Sequence, residues 1–351
     1  MHSKTEILQE NYGVGTWREA LKILQDDFRK PLPALSETTK LKLPYQASNH
    51  PGIPSIDEIK EAMVENSLTR VTASFDVCRV GMTVVKAGYD PMLVEEAENL
   101  LFLQANSQVR APKLYAVFAQ PDHLGPRYYL VMEYIEGEML DFAKWMSLAE
   151  EDHTKICSRL VEQLQLLRSI PSEGYYGRVN NLGWRGNLKL LRRPKSSPCG
   201  PYNTYEECIS AMHRAAEVQV AMSNIAEDLH PHQETLLSEF KPTLTTCNGH
   251  EPTLTHLDPS LRNIIVRRTQ GSEKHVANWE VTLIDWADMG WLPAWMQAVA
   301  LDQKVCMFDA HGVDKLAKQE FMENVSRTFE EPYTEQKRLF KAMEGVCYSI
   351  M

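Results

Sequence analysis

Residues 253–263 read Thr-Leu-Thr-His-Leu-Asp-Pro-Ser-Leu-Arg-Asn and run directly into Ile264-Ile265-Val266. Further on, Val281-Thr-Leu-Ile284 leads straight into Asp285-Trp286. Two β-branched runs separated by a polar loop, Thr269 to Asn278, predict a β-hairpin inside an otherwise helical region. In an antiparallel pair, the residues entering the first strand and those leaving the second lie at the same end. Asp258, Asn263 and Asp285 are therefore brought together although the two aspartates are far apart in sequence. Two carboxylates and a carboxamide around one point make a hard-oxygen set suited to Mg²⁺.

Working outward, the segment before this hairpin is mostly helical. Ser147 and Glu150 predict a capping box, followed by an apolar stripe of Ile156, Leu160, Val161, Leu164 and Leu167 that stops before Pro171. Thr204 and Glu207 repeat the signal at another helix, and His230-Pro-His232 reads as a loop. Earlier still the chain is strand-rich. Leu68 to Ser74, Asp76 to Val80 and Met82 to Ala87 are short Val- and Thr-containing runs, with Gly81 at a tight turn. Asp90 and Pro91 read as the N-cap and first residue of a helix carrying Leu93, Ala97, Leu100 and Leu101 on one face. Two more strands follow near Leu114 to Ala119 and Tyr128 to Glu133. Before all this, residues 1–54 read as an extension with an amphipathic helix from Trp17 to Phe28, and Ser55 with Glu58 opens the next helix.

The 351 residues carry 37 basic and 47 acidic side chains, a formal net charge of −10. That balance excludes bulk nucleic-acid binding, which needs a basic face to release counterions. No run reaches the roughly 20 apolar residues of a membrane span, and Met1 to Glu10 lack the apolar stretch of a secretory signal. The seven cysteines include no Cys-x-x-Cys pair, so neither a zinc ribbon nor a disulfide framework is expected. A reducing, cytoplasmic setting is the expectation.

His256-x-Asp258 with Asn263 resembles the H-x-D-x-x-x-x-N catalytic loop of the protein-kinase-like fold, and within it the aminoglycoside phosphotransferase and choline kinase families. Ile284-Asp285-Trp286 resembles the metal-binding aspartate of that branch. Asp285-Trp-Ala-Asp-Met-Gly290-Trp291-Leu-Pro293 is similar to the D-W-x-x-x-G-W-x-P of uncharacterised phosphotransferase-family proteins of filamentous fungi, as are Gly174-Tyr-Tyr-Gly177 and Gly200-Pro-Tyr202. Val84-Val85-Lys86 resembles the strand lysine that grips phosphates, and Glu96 to Phe102 the helix bearing its ion-pair partner. Val131-Met-Glu-Tyr-Ile-Glu-Gly137 resembles the hinge, whose Met132, Glu133, Tyr134 and Ile135 would receive adenine through backbone hydrogen bonds.

The resemblance implies an α+β, bilobal kinase-like fold. It divides into an extension (1–54), a nucleotide-binding N-lobe with a small antiparallel sheet and one helix (55–135), and a larger helical C-lobe with the catalytic hairpin and acceptor site (136–351). It implies an ATP- and Mg²⁺-dependent phosphotransferase acting on a hydroxyl of a small molecule, a specialised metabolite being one candidate acceptor. Asp258 would orient the hydroxyl and take its proton, Asn263 and Asp285 would hold the metal, and Lys86 would contact the phosphates with Glu96 fixing it. Glu98 is the substitute for Glu96. Arg262 is placed to approach a phosphate or an acidic acceptor. His256 is read as a brace for the metal loop, and Trp286, Trp291 and Trp295 as core anchors.

Two departures keep other readings open. No glycine lies between Gly52 and Gly81, so the first hairpin has no Gly-rich lid, and Leu257 stands where relatives carry Gly or Asn. A catalytically weak or inactive nucleotide-binding scaffold, or nucleotidyl transfer at the same site, are the alternatives. A protein kinase proper is disfavoured because no Ala-Pro-Glu segment follows Asp285.

Overall fold

Alternation along single strands decides how the two faces of the main sheet are covered. Successive side chains of a strand point to opposite faces. In the strand 128–133, Tyr128, Leu130 and Met132 turn to one core cluster and Tyr129 and Val131 to another. One helix covers each face, so the sheet is buried on both.

The structure, a computed structural model, describes residues 2–28, 30, 34–69, 75–185, 198–270, 277–305, 315–329 and 331–347. Its elements are, in chain order, α1 (Lys4–Tyr12), α2 (Trp17–Phe28), α3 (Leu35–Thr38), β1 (Tyr45–Gln46), α4 (Ile56–Glu65), β2 (Asp76–Val80), β3 (Thr83–Gly88), α5 (Met92–Asn106), β4 (Leu114–Asp122) and β5 (Gly125–Glu133). After these come β6 (Glu138–Met139), α6 (Phe142–Ser147), α7 (Glu150–Arg168), α8 (Tyr205–Met222), α9 (Pro231–Thr246), β7 (Pro252–His256), β8 (Ile264–Gln270), β9 (Ala277–Leu283), β10 (Met289–Pro293), α10 (Met296–Val305), α11 (Lys315–Val325) and α12 (Thr334–Cys347).

The first sheet has the order β1-β4-β5-β3-β2, with every pair antiparallel. Helix α5 packs its Leu93, Val94, Ala97 and Leu100 on one face, and α4 packs Ile59 and Ala62 on the other. Below lie two small sheets, β6-β8-β9 and β10-β7, set among helices. The predicted hairpin is β8–β9, and its pairing, from Ile264↔Leu283 to Gln270↔Ala277, runs further toward the connecting loop than the sequence reading. This is the α+β, two-lobed architecture expected of a kinase-like chain.

Three local readings need correction. Ser147 does not cap α7: it ends α6, its hydroxyl donates to the Lys144 carbonyl, and Ala149 is the N-cap. The acidic run Glu150-Glu151-Asp152 still opens the helix, where negative charge meets the positive end of the helix dipole. His230-Pro-His232 is not a loop but the start of α9, with His230 as N-cap paired to Gln233 and proline in the first turn. The helix after Asp90 begins one residue later than read, because Asp90 Oδ1 accepts from Met92 N while Pro91 takes the N-cap position. Of the expected strand Leu68 to Ser74, residues 70–74 lie outside the described residues. Its start pairs with β2, through Leu68 N to the Val77 carbonyl at 2.7 Å.

The described residues of the segment 1–54 pack onto both lobes. Lys4, buried, donates to the carbonyls of Asn224 (2.7 Å) and Ala226 (2.5 Å), and Trp17 Nε1 donates to the Met222 carbonyl at 2.9 Å, closing off the C-terminal end of α8. The chain then crosses to the sheet, where Tyr45–Gln46 pairs with β4.

Candidate active site

Strand alternation also places the candidate phosphate lysine. Val85 and Ala87 turn to the α4 side of the sheet, so Lys86 between them turns to the cleft and to α5. Its Nζ lies 2.8 and 2.9 Å from the two Glu96 oxygens and 2.8 Å from Asp285 Oδ1. The sequence left Glu96 and Glu98 as candidates, and the structure brings Glu96 to the lysine. Glu98 instead accepts from Lys40 N at 2.9 Å and from Asn180 Nδ2 at 3.0 Å. Burial favours a neutral amine, but the Glu96 and Asp285 carboxylates overcome it and hold Lys86 well above the usual lysine range. One cation among two carboxylates leaves the trio with one excess negative charge.

Asp285 stands two residues past the end of β9. Its backbone is left-handed, with φ of 66°, which a non-glycine residue adopts at a cost of roughly 1–2 kcal/mol. Its neighbours hold it there. His256, at the end of β7, is fully buried, receives the Asp258 N–H on Nδ1 at 3.2 Å and places Nε2 3.2 Å from the Ile284 carbonyl. Burial holds the imidazole below its ordinary range, so the neutral ring accepts on Nδ1 and donates from Nε2. The brace reading of His256 matches these contacts. On the other side, Asn99 Nδ2 of α5 donates to the Trp286 carbonyl at 2.7 Å and the Ala287 carbonyl at 3.1 Å. Trp286, Trp291 and Trp295 are each at most 1% exposed, which is the packing expected of core anchors.

Asp258 precedes a short 3₁₀ turn, Leu261–Asn263, whose last residue is Asn263. Asn263 Nδ2 donates to the Asp258 main-chain oxygen (2.9 Å) and Oδ2 (3.0 Å), and Ile284 N donates to the Asn263 carbonyl at 2.9 Å. The hairpin thus ties the two ends of the predicted oxygen set together. Asn263 meets Asp258 through its amide nitrogen, which leaves the carboxamide oxygen to offer its lone pairs to another group. Arg262 Nη2 lies 3.2 Å from Asp258 Oδ2 and Lys304 Nζ 3.7 Å from Oδ1. Burial works to raise the Asp258 carboxyl, yet Lys304 and Arg262 outweigh it and hold the group below the ordinary carboxylate range. Asp258 Oδ1 is buried and accepts no hydrogen bond from the described residues. An unsatisfied buried acceptor costs about 1–3 kcal/mol, so this atom is set to receive a donor from outside.

Leu257 is partly buried: its side chain packs against the second core cluster, and its N–H donates to the Asp288 carbonyl at 2.9 Å. The candidate hinge Met132–Ile135 ends β5. Tyr134 N donates to the Met82 carbonyl at 3.0 Å, and among the described residues the Ile135 N–H meets no acceptor. Met82, Glu133, Tyr134, Ile135, Ile265 and Thr282 line an open cleft of ≈ 520 Å³ in all.

Several contributors were missed by the sequence reading. Lys304 comes from α10, remote from any motif. Asn99 was findable, since it lies three residues after Glu96 and neighbours it on the helix surface. Arg178 carried a weaker signal, directly after Gly174-Tyr-Tyr-Gly177. That motif is joined to Gly200-Pro-Tyr202 by a Tyr176↔Tyr202 bridge and to β10 by Gly177↔Trp291. A Cβ on Gly290 would come within 2.7 Å of the Gly177 carbonyl, so this approach requires glycine.

The structure of a streptomycin–ATP–APH(2")-IIa ternary complex is similar over 84% of this chain and 91% of that one, with 16% identity and a TM-score of 0.51. A gentamicin–APH(2")-IIa complex (16% identity, 85% and 89% coverage, TM-score 0.49) and aminoglycoside phosphotransferase APH(3'')-Id from Streptomyces rimosus (14%, 80% and 92%, 0.48) also match. At such identity the likeness speaks to fold. No curated protein matched the chain. The family model described as "phosphotransferase enzyme family" matches residues 82–297, which is more than half of the chain and holds Lys86, Glu96, Asp258, Asn263 and Asp285. The chain belongs to the phosphotransferase enzyme family.

Proposed function

We propose that the protein is an ATP- and Mg²⁺-dependent kinase that transfers the γ-phosphate to a hydroxyl of a small molecule. The observation that carries this reading is Lys86 Nζ held within 2.8 Å of both Glu96 and Asp285. A lysine fixed this way presents its charge at one point of the cleft, which suits the α/β-phosphates of a nucleotide. Asn263 and Asp285 have the oxygen donors that would hold Mg²⁺, whose charge neutralises phosphate oxygens when it is bound. The excess negative charge at Lys86, Glu96 and Asp285 favours a cation there.

Phosphoryl transfer is mainly positioning and charge stabilisation. Asp258 Oδ1 orients the acceptor hydroxyl and receives its proton as the new O–P bond forms and the bond to the ADP oxygen breaks. The cleft beside Met132–Ile135, with the unmet Ile135 N–H, is the place for the adenine edge. The solved complexes named above hold ATP with an aminoglycoside in one case and an aminoglycoside in another, which agrees with a nucleotide cleft beside an acceptor site.

The test is a thermal-shift titration with ATP, with and without Mg²⁺, on wild type and Asp285→Ala, followed by product analysis with hydroxylated acceptors. A ligand at 100 times its dissociation constant stabilises by about 2.7 kcal/mol. A Mg²⁺-dependent shift of roughly 2–4 °C per kcal/mol, lost in Asp285→Ala, with ADP as product, supports the kinase. AMP or pyrophosphate as product makes it a nucleotidyl transferase. No shift at any concentration overturns the nucleotide site.

A further inference from the structure

Helix α5 has no solvent face from Leu93 to Leu100. Glu95, Glu96, Glu98 and Asn99 are all nearly inaccessible, at 4%, 1%, 3% and 0% exposure. Successive helix residues point about 100° apart, so Glu95 and Glu98 share a face that Glu96 does not. Two buried arginines of one loop meet that face. Arg178 places Nη1 3.6 Å from Glu95 Oε1 and Nη2 3.6 Å from Glu98 Oε2, while Arg185 Nε lies 2.6 Å from Glu95 Oε1. The N-terminal segment closes the arrangement: Arg178 Nη1 donates to the Thr38 carbonyl and Lys40 N donates to Glu98 Oε1 at 2.9 Å.

We propose that Arg178 is a positioning residue that locks α5 between the segment Thr38–Lys40 and the loop 174–185, and so fixes Glu96 against Lys86. Three carboxylates, Glu95, Glu98 and Asp90, meet two guanidinium groups at this node, with Arg185 Nη2 lying 2.6 Å from Asp90 Oδ1. Removing Arg178 leaves Glu98 without a guanidinium partner and Glu95 with Arg185 alone, both out of water. Such groups regain hydration only if α5 turns or moves outward. Either movement carries Glu96, which sits between them in sequence, away from Lys86. The node has no direct contact with Lys86, so its effect passes through the orientation of one helix. The consequence for phosphoryl transfer rests on the kinase reading above, whereas the lock itself does not.

The experiment is mass-spectrometric quantification of Lys86 acylation by an amine-reactive reagent, in wild type, Glu96→Gln, Arg178→Met and Arg178→Lys. Only the neutral amine reacts, so labelling rises about tenfold for each unit by which the Lys86 pKa falls. Glu96→Gln sets the scale by removing the partner directly. The expected result is a comparable rise in Arg178→Met at unchanged labelling of exposed lysines, with Arg178→Lys returning most of the way to wild type. A folded Arg178→Met with wild-type labelling at Lys86 overturns the proposal. If Arg178→Met does not fold, amide hydrogen exchange of Arg178→Gln decides: faster exchange confined to residues 93–103 supports the lock, and unchanged exchange there overturns it. Neither readout uses nucleotide or turnover, so a protein that fails to bind Mg-ATP still reports on the lock.

Discussion

Glu96 and Asp285 share one ammonium group: Lys86 Nζ stands 2.8 Å from each carboxylate, although one belongs to the helix of the N-lobe and the other to the loop after the C-lobe hairpin. The backbone N–H of Trp286 adds a 3.3 Å contact to Glu96 Oε1, so the two lobes meet at this point through a charge and a main-chain donor. Breaking a buried pair by removing one partner costs about 3–5 kcal/mol, because the remaining charge stays out of water. Lys86→Met is therefore expected to be destabilised by roughly 3 kcal/mol, more than an ordinary half-buried substitution. Urea denaturation of the two proteins side by side checks this, and a loss below about 0.5 kcal/mol contradicts it.

Asp258→Asn keeps the shape of the loop and the contacts to Asn263 but removes the carboxylate that the proposed kinase mechanism uses as proton acceptor. Phosphoryl transfer should fall by about 10²–10⁴-fold, while the Mg-ATP thermal shift is retained. Steady-state ADP release on the same preparation used for the thermal shift makes the comparison. Full turnover in the variant would assign the base elsewhere.

The acid limb of stability has a specific contributor in His256. Its folded-state pKa lies below the 6.5 of a free imidazole because the ring is buried. The unfolded chain then binds more protons than the folded one between the two values, so stability falls as pH drops below about 6.5. Asp258 adds a second loss at lower pH, since its carboxyl is held down by Lys304 and Arg262 after burial is overcome. Asp288, Glu95 and Glu96, whose carboxyls burial raises, act in the opposite sense, so the reading is the difference: from pH 7 to pH 5 the melting temperature of wild type should fall relative to that of His256→Gln. Parallel curves would remove His256 as the source.

Leu257→Gly separates a blocked site from an open one. The partly buried side chain packs against the second core cluster, so deleting it removes apolar contacts there. The expected outcome is a stability loss of about 2–4 kcal/mol and no rise in phosphotransfer rate. A several-fold gain in rate at wild-type affinity for ATP would show that Leu257 obstructs the acceptor.

Much of the site is legible in the sequence because it consists of local patterns. The loop 256–263 carries its own geometry, a hairpin register brings its end to Asp285, and strand alternation sends Lys86 to the opposite face from Val85 and Ala87. Capping chemistry was equally local: Ser55 with Glu58 and Thr204 with Glu207 form the capping boxes that their spacing predicts. The same spacing failed at Ser147 because the preceding segment folds into a short helix of its own, which consumes the hydroxyl that would have capped the next one.

The sequence by itself determined which residue types stand at the hairpin ends and on the lysine strand, since periodicity, turn chemistry and hydrogen-bond register act over a few neighbours. Only the tertiary structure decided which glutamate of Glu95, Glu96 and Glu98 meets Lys86, and what the others do. All three lie within one turn of α5, and the helix pattern treats them alike. Their partners come from Thr38, Lys40, Arg178 and Arg185, which local propensity cannot bring together. A buried carboxylate is stable only where a cation or N–H meets it, and those donors arrive when distant segments close on the same helix.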